Sequence, residues 1–234
     1  MENKEESSFV LRQFFDKDTG TFTYLMFDSI TREGLIIDPV KEQFDLSIQI
    51  IKELNVELKY VLDTHIHADH VTSSGMLRDA TGAKITFDEK SGVNCADIPI
   101  NDSDELEFGR FKLRVISTPG HTNACNSFYC DGNLFTGDSL LIRSCGRTDF
   151  QQGDPKKLFN SIIFKLYTYP DKTLVYPGHD YLGRTSSSIG EEKTFNTRIN
   201  SRQTLNKFVE IMDKLDLPKP KRIDLAVPLN LKCG

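Results

Sequence analysis

The sequence predicts an α/β (α+β) fold in which two sheets pack together and helices cover their outer sides. Apolar segments with strand character come in two groups along the chain, and each group is followed by segments with helical spacing. No internal repeat and no low-complexity linker divides the 234 residues. We therefore expect a single domain over 1–234, with 1–7 disordered.

The first group of strands is rich in aromatic and aliphatic residues and is bounded by turn signals. It comprises 9–15, 22–28, 34–40, 59–64 and 84–87. Two helices are predicted among these strands. Four aliphatic residues recur at roughly helical spacing in 43–56, and 73–82 is typical of a short helix that ends at Gly82.

The second group begins with three closely spaced strands, a pattern typical of an antiparallel sheet. They are predicted at 111–118, 124–130 and 133–138. A helix over 155–168 follows, with Pro155 near its start, where proline is favoured. A strand at 173–177 and a last helix over 202–215, which stops before Pro218, complete the prediction.

Composition excludes several classes of protein. Hydrophobic residues make up 38% of the chain and charged residues 27%, as in ordinary globular proteins. The net charge of -5 disfavours binding to nucleic acid, which usually requires a basic patch. Neither a run of roughly 18 apolar residues nor a secretion signal is present, so we expect no membrane span. The expected location is cytoplasmic, or the mitochondrial matrix for a trimmed eukaryotic chain.

The five cysteines show no close CxxC pairing, and their number is odd. They lie at Cys95, Cys125, Cys130, Cys145 and Cys233. This pattern predicts free thiols in a reducing compartment.

The stretch THIHADH at 64–70 contains three of the five histidines, His65, His67 and His70. The other two, His121 in STPGHT and His179 in YPGHD, also lie at predicted strand ends. A single histidine is more often a structural residue than a ligand. Five histidines confined to three strand-end loops favour a metal site, since separate loops can converge on one ion.

Asp138 in FTGDSLL ends an apolar strand at a glycine turn. Aspartate commonly caps such turns, so taken alone it fits either a cap or a ligand. Beside the histidines, we favour a ligand.

The motifs HIHADH, PGHT, GDS and PGHD, in this order, resemble those of the metallo-β-lactamase superfamily. The resemblance implies an αβ/βα sandwich of two mixed sheets flanked by helices, with the metal at the joined strand edges. Within the superfamily, the segments 141–154, 176–185 and 191–199 and the tail DLAVPLNLKCG resemble the persulfide dioxygenases. This similarity runs from about Leu11 to Gly234.

The persulfide dioxygenase resemblance implies one Fe(II) per chain, held by His65, His121 and Asp138, which are then the catalytic and metal-binding residues. Two imidazoles and a carboxylate leave open positions on iron. His67, Asp69, His70 and His179 would surround these ligands and orient them. The implied reaction consumes glutathione persulfide and O2 and forms sulfite and glutathione.

The same residues could instead hold two metals, with zinc or another ion in place of iron. His65, His67 and His121 would bind one ion, Asp69, His70 and His179 the second, and Asp138 would bridge them. Such a centre activates water for hydrolysis, as in the glyoxalase II family, which cleaves glutathione thioesters. Only about 55 residues follow His179 here, too few for that family's extra helical region, so we favour the dioxygenase.

Arg147, Tyr181 and Arg198 match family positions associated with the glutathione pocket. Arginine binds carboxylates bidentately, and we rank Arg147 first, with a solvated surface role as the alternative. Cys145 lies between Arg143 and Arg147, a setting that could make it a reactive thiol, although a packed thiol is the more common case. We expect Asp38 to brace a turn near the site without binding metal.

Other functions are less consistent with the sequence. A binding protein without turnover has little need of open ligand positions, and a nuclease is disfavoured by the acidic charge. The resemblance permits a homodimer, but no sequence feature identifies its interface.

Overall fold

The computed structural model describes residues 8–234, in which twelve strands form two six-stranded sheets. The first sheet contains β1 Phe9–Asp16, β2 Thr21–Asp28, β3 Glu33–Ile37, β4 Glu57–Leu62, β5 Lys84–Asp88 and β6 Ile98–Ile100, paired in chain order. The pairs up to β3 are antiparallel, and those from β3 to β6 are parallel. The sheet is therefore mixed, as predicted.

The second sheet is also mixed. It contains β7 Glu105–Phe108, β8 Phe111–Ser117, β9 Asn126–Cys130, β10 Asn133–Gly137, β11 Leu174–Pro177 and β12 Ser187–Ser188. β7 to β10 are successive antiparallel neighbours, and β11 runs parallel to β10. Consequently β8, β10 and β11 run in the same direction, and their carboxyl ends lie at one edge.

Six α-helices are described in residues 8–234. They are α1 Phe44–Glu53, α2 Ser74–Thr81, α3 Pro155–Phe164, α4 Ile189–Phe195, α5 Leu205–Asp213 and α6 Ile223–Asn230. Asp154 caps α3 by accepting from the amides of Lys156 and Lys157, with Pro155 at the start of the helix. Gly82 ends α2 with a left-handed conformation.

Successive side chains of β2 point alternately into two hydrophobic cores, one between the two sheets and one beneath the helices. Tyr24 and Met26 point into the core between the sheets, whereas Leu25 and Phe27 pack with the residues beneath α1 and α2. A strand that serves two cores is apolar on both faces, and β2 is buried throughout. On the opposite side, α3 and α5 pack against the second sheet around Leu158.

The structure corrects several sequence expectations. The helix predicted as the last, over 202–215, is followed by α6, whose internal Pro228 obscured its helical pattern. The short strands β6, β7 and β12 and the helix α4 were not predicted, since two to seven residues carry little periodic signal. The expected disorder of 1–7 lies outside the described residues.

The prediction of five free cysteines is wrong, because Cys95 and Cys233 form a disulfide across 138 residues of sequence. Sequence spacing cannot reveal a pairing between distant loops. Cys125, Cys130 and Cys145 are free and buried. Among the described residues, no helix is long and apolar enough to cross a membrane.

Candidate metal centre

Four strand ends meet at one edge of the sandwich; three of them carry the five histidines, and the fourth carries Asp138. The segment 63–73, which we call the histidine loop, follows β4, and His121 lies in the loop after β8. Asp138 directly follows β10, and a single residue, Gly178, separates His179 from β11. Because β8, β10 and β11 share a direction, their terminal side chains converge. Ligand atoms of His65, His121 and Asp138 all lie within 4.8 Å of one another.

Hydrogen bonds fix the tautomer of His65. Thr64 Oγ1 donates to Asp38 Oδ2 (3.0 Å), so it accepts from Nδ1 of His65 (2.9 Å). The unprotonated Nε2 is then available as a metal ligand. Burial lowers the pKa of His65 well below its ordinary value, as do the neighbouring imidazoles, which keeps the ring neutral.

His121 is oriented in the same way by a backbone group. Its Nδ1 donates to the carbonyl of Arg147 (2.7 Å), and its Nε2 faces Asp138 Oδ2 at 3.7 Å. Gly146 allows this approach, because a Cβ there would lie 2.9 Å from His121 Nδ1 and 2.3 Å from the Asp138 carbonyl. Both histidines therefore direct Nε2 toward the same space.

Asp138 supplies the carboxylate. Its Oδ1 accepts from His179 Nδ1 (2.6 Å), and Oδ2 faces His121. Although burial opposes ionisation, His179 lowers the pKa of Asp138. Gly178 lies so close that a Cβ would be 2.7 Å from Asp138 Oδ1.

The three residues fit a resident metal. Two imidazoles whose Nε2 atoms face the same space and one carboxylate form the facial donor set typical of non-haem Fe(II) sites. Each donor is also held by a second hydrogen bond on its other atom, as metal ligands commonly are.

His179, Asp69 and His70 are engaged with one another and with the triad. His179 donates from Nδ1 to Asp138 and from Nε2 to Asp69 Oδ2 (3.0 Å), which also accepts from His70 Nδ1 (2.9 Å). Burial opposes the charge on His179, but the two carboxylates raise its pKa well above the ordinary value. With both nitrogens bonded to carboxylates, His179 has no lone pair for a second metal.

His67 lies in a buried network through its Nε2, while its buried Nδ1 has no hydrogen-bond partner in residues 8–234. Its Nε2 lies 3.0 Å from Asp38 Oδ1 and 3.5 Å from Asp63 Oδ1. Burial opposes the charged form, but Asp38 and Asp63 raise the pKa of His67 to about 10. Asp38 also accepts from the amide of Thr64 (2.7 Å), which agrees with its expected role as a brace.

The triad opens into a cavity of about 600 Å³, within the range of small-molecule sites. Its floor includes His65, His121 and Asp138. Apolar groups from two segments, Leu141–Ile142 and Leu217–Pro218, form walls. The cavity therefore combines open metal positions with room for a substrate.

Three arginines line this cavity, and only Arg147 and Arg198 were predicted. Arg147 donates to Asp149 (2.6 Å) and to the carbonyls of Pro218 (2.7 Å) and Leu217 (3.1 Å), so its guanidinium joins two walls. Arg184 is paired with Asp180 (2.7 Å).

Arg198 differs from the other two arginines. Its Nη1 donates to the Cys145 carbonyl (2.7 Å), and within residues 8–234 it forms no salt bridge. The structure therefore leaves Arg198, rather than the first-ranked Arg147, as the cation available to a carboxylate.

Tyr181 and Cys145 line the cavity in different ways. Tyr181 is 74% exposed, and its ring stacks on His179 with centroids 6.0 Å apart. Cys145 is buried, and burial raises the pKa of its thiol to about 12. Both features favour a packed thiol, the more common case, over a reactive one, because the neighbouring arginines do not offset the loss of hydration.

Comparisons with known proteins agree with this architecture. Residues 93–179 match the family model described as the metallo-beta-lactamase superfamily. The human protein named persulfide dioxygenase ETHE1, mitochondrial, is 47% identical over 228 residues, which cover 96% of this chain and 89% of that protein. The crystal structure of ETHE1 from Myxococcus xanthus matches with a TM-score of 0.93 and 47% identity over 96% of this chain and 99% of that one.

A more distant relative bears on the hydrolase alternative. The hydroxyacylglutathione hydrolase of Pelagibacter ubique is 31% identical over 169 residues, which cover 70% of this chain and 69% of that protein. Both the identity and the coverage are lower than for the human relative.

Proposed function

Because the chain belongs to the persulfide dioxygenase family of the metallo-β-lactamase superfamily, we propose that it oxidises glutathione persulfide with O2 and water to sulfite and glutathione. The observation that carries the proposal is the open triad. His65, His121 and Asp138 bring two imidazoles and a carboxylate together at the floor of a 600 Å³ cavity.

The resident metal in this proposal is one Fe(II). Iron in this donor set supplies the redox chemistry and keeps coordination positions open. Support for a single ion comes from His179, since both of its nitrogens are bonded to carboxylates. A second metal bound to His179 would have to displace one of these two hydrogen bonds.

The chain's own residues position the reactants. Thr64 and the Arg147 carbonyl hold the two imidazoles in the tautomer that offers Nε2. Arg198 has donors free for a glutathione carboxylate, while Arg147 supports the cavity wall. The apolar wall at Leu141–Ile142 limits the access of water to the reacting sulfur.

The His179 N–H is directed at Asp138 and holds that carboxylate in place as charge changes at the site. Tyr181, which stacks on His179 and is largely exposed, can cover a bound substrate from the solvent side. We assign it to substrate binding rather than to proton transfer.

The hydrolase of glutathione thioesters remains the alternative activity. It requires a dinuclear centre that includes His67, whose Nε2 is bonded to Asp38 in this structure. The Nδ1 of His67 has no hydrogen-bond partner in residues 8–234, so the preference for the dioxygenase rests on the higher identity to the persulfide dioxygenases.

The proposal is tested by oxygen uptake. Protein purified without oxygen and loaded with Fe(II) is given glutathione persulfide, and oxygen consumption and sulfite are measured in the same sample. We expect one sulfite for each O2 consumed. The same protein loaded with Zn(II), which has no redox chemistry, is the matched control and should consume none.

Absence of oxygen uptake by iron-replete protein would contradict the proposal. Cleavage of a glutathione thioester by that sample would then support the hydrolase.

We also propose a cytoplasmic location, or the mitochondrial matrix for a trimmed chain. The homodimer stays a prediction, which light scattering of the purified protein tests.

A further inference from the structure

Asn230, in the last turn of α6, holds the histidine loop through three hydrogen bonds. Its Nδ2 donates to the carbonyls of His67 and His70, and its Oδ1 accepts from the amide of Thr72, each at 2.9 Å. The side chain is 1% exposed. One buried amide therefore satisfies three backbone groups of the segment that carries His65.

The turn after Asn230 lies against the first residues of α2, which directly follow the histidine loop. The amide of Gly75 donates to the Cys233 carbonyl (2.8 Å), and a Cβ at Gly75 would lie 2.9 Å from that oxygen. The Cys233 amide in turn donates to the Asn230 carbonyl (3.1 Å). Displacement of Cys233 would therefore also displace Asn230.

The disulfide fastens this turn to the first sheet. Cys95 lies in the segment before β6, and its bond to Cys233 crosses from that segment to the end of the chain. Cys233 is buried in a small apolar cluster with Ile66, which lies between His65 and His67. The disulfide thus packs directly behind the metal-binding segment.

A disulfide is rare where thiols are kept reduced, and those that occur there are commonly transient or redox-sensing. Cys95 is only half-buried, which gives a small thiol access to the bond. Two molecules of a low-molecular-weight thiol would supply two electrons and two protons. The S–S bond would break to two cysteine thiols, and the small thiol would be oxidised to its disulfide.

We infer that Asn230 is a positioning residue for the metal-binding loop and that the Cys95–Cys233 pair is a redox site whose reduction weakens metal retention. The inference rests on the metal site of the proposed function but not on the identity of the substrate. Reduction releases the turn that carries Asn230, and the loop loses the restraint that orients His65.

The test compares the oxidised and reduced protein without oxygen. The dissociation constant for Fe(II) is measured by competition with a chelator, and the cysteine state is verified by thiol titration. We expect reduction to weaken Fe(II) binding about tenfold, the lower end of the effect of groups that orient metal ligands. The double variant Cys95→Ser/Cys233→Ser should bind like the reduced protein and should not respond to the reductant.

Asn230→Asp tests the Asn230 side chain separately from the disulfide, because it keeps the side-chain shape but removes the amide donors to the carbonyls of His67 and His70. We expect it also to weaken Fe(II) binding about tenfold and to change the near-infrared circular dichroism of the Fe(II) site. Asn133→Asp is the matched control, since buried Asn133 likewise donates to two backbone carbonyls, those of Cys130 and Asp131, in a turn at the other end of β10. It should leave Fe(II) binding unchanged.

Equal Fe(II) affinity in the oxidised and reduced protein would overturn the redox site. A fall in thermal midpoint for Asn230→Asp with unchanged affinity and spectrum would make Asn230 merely structural. If the oxidised protein bound no Fe(II), the proposed metal site would fail and the inference with it. If it bound Fe(II) with the expected redox response but made no sulfite, only the proposed function would fail.

Discussion

Among the described residues, histidine and aspartate form three clusters, and two of them, an open triad and a closed cluster, differ in their surroundings. His65 belongs to the open triad with His121 and Asp138, and His67 to the closed cluster with Asp38 and Asp63. The third, His67 with Asp69 and His70, overlaps the closed cluster at His67. The rings of His65 and His67 are only 4.2 Å apart. In both clusters the ligand atoms lie within 4.8 Å of one another.

The difference between the two clusters lies in what surrounds them. In the closed cluster, the His67 and Asp63 side chains are 1% exposed, and Asp63 Oδ2 also accepts from Thr72 (3.1 Å) and Ser74 (2.6 Å). In the open triad, the His121 and Asp138 side chains are 12% and 15% exposed and border the cavity. Nearby hydrogen-bond partners, rather than residue type, therefore separate the metal site from the structural network.

Loss of a triad ligand should give the largest effect on activity. We expect His121→Ala to lower kcat/KM for the persulfide by more than about 100-fold, because even groups that only orient metal ligands contribute about 10–100-fold. Fold stability should change little, since His121 borders the cavity. Oxygen uptake measures the effect on activity, and thermal unfolding measures the effect on stability. Near-normal activity would show that His121 is not a metal ligand.

Loss of the histidine in the closed cluster should show the opposite pattern. His67→Gln leaves two buried carboxylates without a cationic partner, and we expect it to lower the free energy of unfolding by about 3–5 kcal/mol. Asp63→Asn is the milder companion variant if His67→Gln does not fold. Urea denaturation measures the loss, while the folded fraction should still bind Fe(II). If a stably folded His67→Gln variant did not bind Fe(II), His67 would be a metal ligand.

Substitution of the cavity arginines should affect substrate binding differently, according to whether each arginine already has an acidic partner. Arg198→Ala is expected to raise KM for glutathione persulfide roughly 10–100-fold with a smaller change in kcat, as one charged hydrogen bond contributes about 1.5–3 kcal/mol. Arg184→Ala is the matched control, because Arg184 lines the same cavity but is paired with Asp180. Steady-state kinetics that showed equal effects would contradict the assignment of the free cation to Arg198.

The smallest effect is expected at Cys145. Its thiol is buried, with a pKa raised to about 12 by burial, so it is protonated at neutral pH. Cys145→Ala should keep kcat/KM for the persulfide within about twofold of the native value, because a protonated thiol is a poor nucleophile. A large loss of kcat with normal Fe(II) content would show that Cys145 takes part in the reaction.

Much of the fold followed from local sequence patterns. The segments that became β2 and β3 were predicted because they are rich in aromatic and aliphatic residues, and nearly all of their residues are buried in the structure. The short α4 was missed because seven residues span only two helical turns. The disulfide depends on an approach of residues 95 and 233 that no local pattern encodes.

The positions of the site residues were predictable, whereas their partners were not. His65, His121 and Asp138 follow strand ends in motifs that can be read directly from the chain. The bond from His67 to Asp38 and the separation of Arg198 from any acidic partner in residues 8–234 depend on tertiary contacts. Side-chain direction in a loop is set by packing across the molecule, so the residue types alone could not exclude a two-metal centre.

The most direct test of the account is an Fe(II) titration without oxygen, followed by the near-infrared circular dichroism of the bound metal. We compare the native chain, Asp138→Ala in the open triad and Asp63→Asn in the closed cluster. The account predicts one Fe(II) per chain for the native protein and for Asp63→Asn, with the same spectrum, and none for Asp138→Ala. Two Fe(II) per native chain, or loss of iron from folded Asp63→Asn, would contradict the distinction between an open metal site and a closed structural network.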